Sequence, residues 1–299
     1  MMKIVYHDED YPTHWIEPAI SQCIARYLSG RGFKIYDANE LYDFIIKSIS
    51  EDTASRSIIV FSQDVVPDII FKDKFFDKVI CKTLLSQYLY QGGKVIWIGD
   101  IPFWFRGRRK CIKDIIWPRL PMVNILGIIP LITYSTLNQV KIKEEGKQRG
   151  LSEPWHGIRP ILPTDEDLIV LAESTSLVAW PIPLTYFKIN LRTKDPEILM
   201  AGDLELIPYF IERPRPPIVI PRNSARKLEI NIEEEIYEAK PANTVLIQRK
   251  LPNAWIKKLG RGEFIRIWDC PISEDFIKYF EKKMLPDLYN LAVNTIISQ

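Results

Sequence analysis

Short apolar runs alternate with amphipathic segments over the first hundred residues. The runs cover residues 3–6, 33–36, 57–61 and 95–98. Runs of this length, bounded by turn residues, are typical of buried strands. Apolar residues at helical spacing predict helices beginning at Pro18 and capped by Asn39, and a third helix over residues 78–90. The order β-α-β-α-β-α-β predicts an α/β fold, a parallel sheet with helices on both faces, of the flavodoxin or amidotransferase-like kind.

The pattern changes in the second half of the chain. Eight prolines between Pro181 and Pro221 exclude long helices there and predict extended segments. Residues 228–232 and 244–248 alternate, which predicts antiparallel strands. A strand over 263–268 and a closing helix that Pro286 kinks or splits complete the pattern.

These changes predict three parts. They are an α/β domain at 1–180, a proline-rich linker or arm at 181–225, and a β segment with the C-terminal helix at 226–299. The longest apolar runs fall short of the roughly 20 residues that span a bilayer, so we expect no membrane span. The N-terminus becomes acidic before an apolar signal region develops, and we expect a cytoplasmic protein.

Composition narrows the function classes. The net charge of +2 excludes a strongly basic chain but allows a local basic patch. Abundant Ile, Lys and Glu are compatible with a thermophilic or AT-rich source. The four cysteines and three histidines are scattered, and the nucleotide, dinucleotide, serine-hydrolase and zincin motifs are absent from the sequence. We expect neither a metal nor a cofactor.

Asp100 is the first site candidate, because it follows the strand predicted at 95–98. Ligands of open α/β sheets bind beyond the carboxyl ends of the strands. A carboxylate there can act as a general acid or base, and it can equally be a turn residue or helix cap. Asp8, in the acidic loop after the first strand, is a second candidate. Asp8, Glu9 and Asp10 either bind a divalent cation with Asp100 or form a solvated loop.

Residues 92–103, Gly-Gly-Lys-Val-Ile-Trp-Ile-Gly-Asp-Ile-Pro-Phe, resemble the class I glutamine amidotransferase-like superfamily. The resemblance implies an elbow after the strand that carries a nucleophilic cysteine or serine, with a downstream histidine and an acid. The elbow position here falls at or beside Asp100, so the nucleophile is missing. His156 is the downstream histidine, with no thiol to activate. Degenerate relatives of this kind serve as binding or structural modules.

Two further clusters are candidates for binding a ligand or partner. Trp104 precedes the densest basic run, which consists of Arg106, Arg108, Arg109 and Lys110. This composition suits phosphate contacts with base stacking, and it equally suits a solvated turn. Trp155, His156 and Arg159 form an aromatic, imidazole and guanidinium group that either lines a pocket or packs a loop.

Three functions fit these features. The first is a non-catalytic accessory subunit that assembles with a protein partner, with nucleic acid contacted through residues 106–110. A stiff arm, Arg213-Pro214-Arg215-Pro216-Pro217, suits docking on such a partner and serves equally as a linker. The second is a hydrolase or lyase that uses Asp100 with His156 or the acidic loop. The third is a small-sugar binding module, which requires Trp97, Trp104 and Trp155 to form an exposed platform.

Overall fold

The computed structural model describes most of the chain. The described residues are 1–71, 83–110, 112–115, 121–130, 134–136, 139–162, 168–180, 186–190, 195–199, 206–209, 218–221, 235–237 and 245–297. The strand predicted at 228–232, Cys81, Cys111 and the arm at 213–217 lie outside them.

The chain forms nineteen strands and seven α-helices within this part. The strands are β1 (Met2–Tyr6), β2 (Lys34–Tyr36), β3 (Ser57–Phe61), β4 (Val66–Pro67), β5 (Lys94–Ile98), β6 (Phe105–Arg108), β7 (Ile112–Ile115), β8 (Ile129–Pro130), β9 (Tyr134–Thr136), β10 (Lys141–Ile142), β11 (Ile161–Leu162), β12 (Leu168–Trp180), β13 (Tyr186–Asn190), β14 (Asp195–Leu199), β15 (Leu206–Tyr209), β16 (Ile218–Pro221), β17 (Glu235–Tyr237), β18 (Val245–Leu259) and β19 (Gly262–Ile267). The helices are α1 (Pro18–Ser29), α2 (Ala38–Ser50), α3 (Leu84–Tyr90), α4 (Pro121–Leu126), α5 (Glu144–Gln148), α6 (Ile277–Tyr279) and α7 (Leu285–Ile297). Short 3₁₀ turns lie at Ala54–Arg56, Asp68–Phe71 and Glu274–Phe276.

A nine-stranded sheet organises the fold. Its order is β10-β12-β18-β19-β5-β3-β1-β2, and β9 also pairs with β12. The five strands β2, β1, β3, β5 and β19 are parallel, whereas β18, β12, β10 and β9 extend the sheet by antiparallel pairing. The parallel half has the doubly wound order of flavodoxin-like folds, in which the direction of winding reverses between β1 and β3. This confirms the predicted α/β class.

Helices cover both faces of the parallel strands. In β3, Ile58 and Val60 pack in one apolar cluster with α1 and α7, while Ile59 and Phe61 pack in another with α2 and α3. The same alternation divides the residues of β5. Successive side chains of a strand point to opposite faces, so two cores on one sheet require strands that are apolar at every position. This explains the continuous apolar runs of the sequence.

Several element boundaries differ from the prediction. The cap of α2 is Asp37 rather than Asn39. The Asp37 carboxylate accepts from the main-chain N–H of Glu40, and the Glu40 carboxylate accepts from the main-chain N–H of Asp37. Helix α3 begins after its cap Thr83. Residues 168–180 form one long strand, β12.

The closing helix is divided as Pro286 predicts. Helix α6 passes into a π-turn over Phe280–Met284, and α7 then starts at Leu285. Proline donates no hydrogen bond and its ring clashes with the carbonyl four residues earlier. A wider turn just before proline removes that clash.

The C-terminal strands belong to the same sheet as the first strands. Strand β19 lies directly beside β5, and β18 joins it to β12. The division at 180 and 225 stays a prediction. The parallel strands come from both the predicted first part, 1–180, and the predicted last part, 226–299. None of the helices in the described ranges is long and apolar enough to cross a membrane.

Ile96 provides a test of this core. It lies fully buried in β5 at the centre of the parallel strands. Ile96→Ala removes buried methylene groups and leaves a cavity, so we expect the free energy of unfolding to fall by about 2–5 kcal/mol. Ile46→Ala, on the exposed side of α2, is the control and should change it by less than about 0.5 kcal/mol. Urea unfolding of both variants measures this, and equal effects would contradict the placement of β5.

Candidate functional site

An aspartate follows each of the five parallel strands at the carboxyl edge of the sheet. Asp37 after β2 is partly buried and caps α2, and the other four lie deeper. These four residues are Asp8 after β1, Asp64 after β3, Asp100 after β5 and Asp269 after β19. All four are buried. Buried carboxylates require hydrogen-bond donors, and the donors of each one determine its role.

Asp64 fixes the loop that follows β1. Its two carboxylate oxygens accept hydrogen bonds from the main-chain N–H groups of His14 and Trp15, at 2.8 and 2.6 Å. The carbonyl of Trp15 in turn accepts from the N–H of Ile272, beyond β19. The loop therefore crosses the ends of β3 and β19, and it carries the side chains of His14 and Trp15 to this edge.

Asp269 fixes a second segment, residues 151–160. Its carboxylate accepts from the indole N–H of Trp155 at 2.8 Å, the main-chain N–H of Arg159 at 2.8 Å and the amide of Asn253 at 2.7 Å. The other end of the segment is tied to α7, where Asp287 accepts from the main chain of Ser152 and Glu153. The segment is thus anchored at both ends, and Arg159 is brought to the carboxyl edge.

Asp100 is the point where the two anchored segments meet. His14 Nε2 lies 3.4 Å from Asp100 Oδ2, and Arg159 Nε lies 3.7 Å from Asp100 Oδ1. The Asp100 side chain is 4% exposed, whereas those of His14 and Arg159 are 28% and 27% exposed. A buried carboxylate thus lies beneath two cationic or polar groups that reach solvent.

Aromatic rings surround this cluster. The guanidinium of Arg159 lies 4.9 Å from the centre of the Trp15 ring, and the His14 ring lies 4.1 Å from that of Phe105. Beneath them, the fully buried Arg266 donates to the carbonyls of Arg159 and Gly99, at 2.7 and 3.1 Å. Rings and buried donors restrict the positions of both exposed groups.

Burial dominates the ionisation of the anchoring carboxylates. It raises the pKa of Asp64 to about 6; the hydrogen bonds from His14 and Trp15 oppose the rise, and the charge of Asp100 adds to it. Burial also raises the pKa of Asp269 above the ordinary value, against the opposing charge of Arg266. Both groups therefore keep a proton to higher pH than exposed aspartates do.

The structure brings together two of the candidates from the sequence, Asp100 and Arg159. Asp8 lies after β1 as predicted, but its carboxylate accepts from the main chain of Asp10 and Ala38, as a loop and helix anchor does. Trp155 is buried against Asp269, and His156 is exposed. Among the described residues, no group of three or more His, Cys, Asp or Glu side chains could hold a metal ion.

The basic run lies beside this edge. Phe105, which contacts His14, begins β6, and β6 pairs with β4 and β7 in a small separate sheet. Arg108, Arg109 and Lys110 are exposed, and Arg106 and Trp104 are partly buried. Asp10 ties the run to the loop after β1, because its carboxylate lies 2.9 Å from Arg109 Nε and its carbonyl accepts from the Lys110 N–H.

Two tryptophans of the sugar-binding hypothesis are buried. Trp97 is fully enclosed in β5 between Phe61 and Phe103, and Trp155 is 5% exposed. Neither ring is available for stacking on a sugar, so these two do not form the exposed platform that this hypothesis requires.

His14, Trp15, Asp64, Asp269 and Arg266 were not identified from the sequence as site residues. One signal was present, since each of the four buried aspartates stands within three positions of the end of an apolar run. Nothing local distinguishes His14 from the other histidines, because its place beside Asp100 depends on Asp64.

More than half of the chain matches one protein family. The model of the MJECL34 family matches residues 2–178. The uncharacterized protein MJECL34 of Methanocaldococcus jannaschii is 35% identical over 157 residues, which are 52% of this chain and 50% of that protein. The chain thus spans about half the length of this curated relative. Among solved structures, cytoplasmic protein STM3548 from Salmonella typhimurium matches 99% of this chain and 98% of its own, at 12% identity and a TM-score of 0.36.

Asp64 predicts a pH dependence of stability. Aspartate in an unfolded chain titrates near about 3.9, whereas the pKa of Asp64 in the folded protein is about 6. The folded state binds more protons between these values, so Asp64 makes the free energy of unfolding fall as pH rises from about 4 to about 6. Asp64→Asn should flatten this part of the curve, as measured by urea unfolding across that range. The exposed Asp52→Asn is the control, and a curve for Asp64→Asn as steep as that of the control would contradict the assignment.

Proposed function

The chain belongs to the MJECL34 family, and we propose that it is a non-catalytic binding subunit that assembles with a protein partner. The proposal includes the amidotransferase-like ancestry that the turn after β5 suggests. The supporting observation is that Asp100, at the position where the resemblance implies a nucleophile, is covered by His14 and Arg159. A carboxylate held this way orders the loops over the edge of the sheet.

The cysteines within the described residues support a non-catalytic role. Cys23 lies on α1, and burial with a hydrogen bond to Glu281 raises its pKa to about 12. Burial also raises the pKa of the Cys270 thiol, and the charge of Asp269 adds to this effect. The thiolate is the reactive form of cysteine, and neither group forms it at neutral pH.

The basic run supports contact with nucleic acid. Its exposed residues begin at Arg108, the last residue of β6, which is paired on both sides. Asp10 holds the Lys110 main chain and the Arg109 side chain. Such cations bind phosphates through charge and release counterions when they do so. Partly buried Trp104 precedes the run and adds an aromatic surface.

We expect substitution of Arg108, Arg109 and Lys110 together by Gln to weaken binding to duplex DNA or to RNA. Loss of three phosphate contacts should lower the slope of log affinity against log salt by about 3 for duplex DNA. Fluorescence anisotropy of labelled oligonucleotides over a salt series measures this. The control replaces Lys34, Lys47 and Lys147 by Gln, which removes the same charge from exposed positions on β2, α2 and α5.

Purification from the native source tests the assembly itself. We expect the chain to co-purify with a protein partner in a complex that survives gel filtration. A lone monomer with no affinity for DNA or RNA would contradict the proposal.

A second candidate function rests on the contact between His14 and Asp100. A carboxylate and an imidazole in contact form an acid–base pair, which a hydrolase or lyase requires. The sequence alone suggests His156 as the partner of Asp100. His156 is exposed on the segment 151–160. The structure favours His14 as the partner, with Arg159 beside it to stabilise developing negative charge.

Kinetics of single variants test this second candidate. In a screen with chromogenic carboxylic and phosphoric esters, any activity of the site should fall about 10²–10⁴-fold in Asp100→Asn and in His14→Gln. If activity is lost in His156→Gln and retained in His14→Gln, His156 rather than His14 is the partner of Asp100. Activity that survives in Asp100→Asn would remove this site from the reaction.

A further inference from the structure

Arg159 is held more firmly than a surface arginine. Its N–H donates to Asp269 Oδ2 at 2.8 Å, and its carbonyl accepts from Arg266 Nη1 at 2.7 Å. Both partners are buried side chains on or just after β19. The main chain on each side of the Arg159 side chain is therefore fixed to the rigid sheet, as in a site that is formed before its ligand arrives.

The side chain of Arg159 is oriented as well. Trp15 supports one face of the guanidinium, and Asp100 lies 3.7 Å from its Nε atom. Neither of its two terminal nitrogens donates a hydrogen bond to any residue within the described ranges. The side chain is 27% exposed, so these donors point to an accessible part of the edge.

Such an arrangement is suited to an oxyanion. The planar guanidinium matches the geometry of carboxylate and phosphate groups and binds them through two parallel hydrogen bonds. Asp100 lies on the Nε side of Arg159, so an incoming oxyanion would meet the two terminal nitrogens of the guanidinium rather than the carboxylate. The position beyond the carboxyl end of β5 is also where open α/β sheets bind ligands.

We propose that Arg159, flanked by Trp15 and His14, binds the carboxylate or phosphate group of a small-molecule ligand above Asp100. The inference is independent of the proposed role in nucleic-acid contact. That contact is assigned to the basic run at 106–110, which begins on the separate β6 sheet. The two sites therefore have separate variants and separate readouts.

Isothermal titration with inorganic phosphate and with succinate tests the site. We expect saturable binding of at least one probe at a single site. Arg159→Gln should weaken it about 10-fold to 100-fold, because a hydrogen-bonded charge is lost. Arg159→Lys should weaken it too, since lysine keeps the charge but not the fork. Binding of phosphate alone or of succinate alone identifies which oxyanion the ligand carries.

Arg261→Gln is the matched control, because this exposed arginine also pairs with an aspartate, Asp52, but lies outside both the cluster and the basic run. It should bind the probe as the wild type does. Urea unfolding verifies that each variant is folded. If Arg159→Gln does not fold, Arg159→Lys is the test variant, because it keeps a positive charge next to Asp100. Failure of the wild type to bind either probe, or equal affinity in Arg159→Lys, would overturn the proposal. The salt slope for nucleic acid should stay unchanged in both Arg159 variants.

Discussion

Two carboxylates removed from water, Asp64 and Asp269, determine the shape of the carboxyl edge. An ionised carboxylate in a protein interior is unfavourable by several kcal/mol unless donors surround it. Here the donors are main-chain N–H groups of His14, Trp15 and Arg159, together with two side chains. The need of Asp64 and Asp269 for donors therefore fixes the positions of the loop after β1 and of the segment 151–160. The raised pKa of each group shows that burial still outweighs these bonds.

The donors around the buried aspartates differ from one strand to the next. Asp64 uses both oxygens on the main chain of one loop, and Asp269 is enclosed by three donors and Arg266. Asp100 accepts from the main-chain N–H of Ile101 at 2.6 Å, but its oxygens also meet His14 and Arg159, whose side chains reach solvent. Three aspartates at similar positions on neighbouring strands thus hold different parts of the edge, because their donors differ.

The sequence predicted local features well and long-range ones poorly. The cores of β1, β3 and β5 and the start of α1 follow from apolar runs and a proline, which are local signals. Asp100 was identified because its position follows from the end of a strand. His14 was not, since its contact with Asp100 depends on a loop that Asp64 holds from a different strand. The parallel pairing of β19 with β5 joins distant parts of the chain, and no local pattern indicates it.

The C-terminal strands complete the site as well as the sheet. Asn253 on β18 and Asp269 after β19 hold the segment around Gly157, where a Cβ atom would overlap the Asn253 amide and the Asp269 carboxylate. The match to the MJECL34 family covers Asp100 and Arg159 but ends at residue 178. The side chains that fix the main chain of Arg159, which are those of Asp269 and Arg266, therefore lie outside the matched region. Since an arginine without fixed neighbours samples many rotamers, the C-terminal strands are needed in this chain to hold the Arg159 guanidinium at the carboxyl edge.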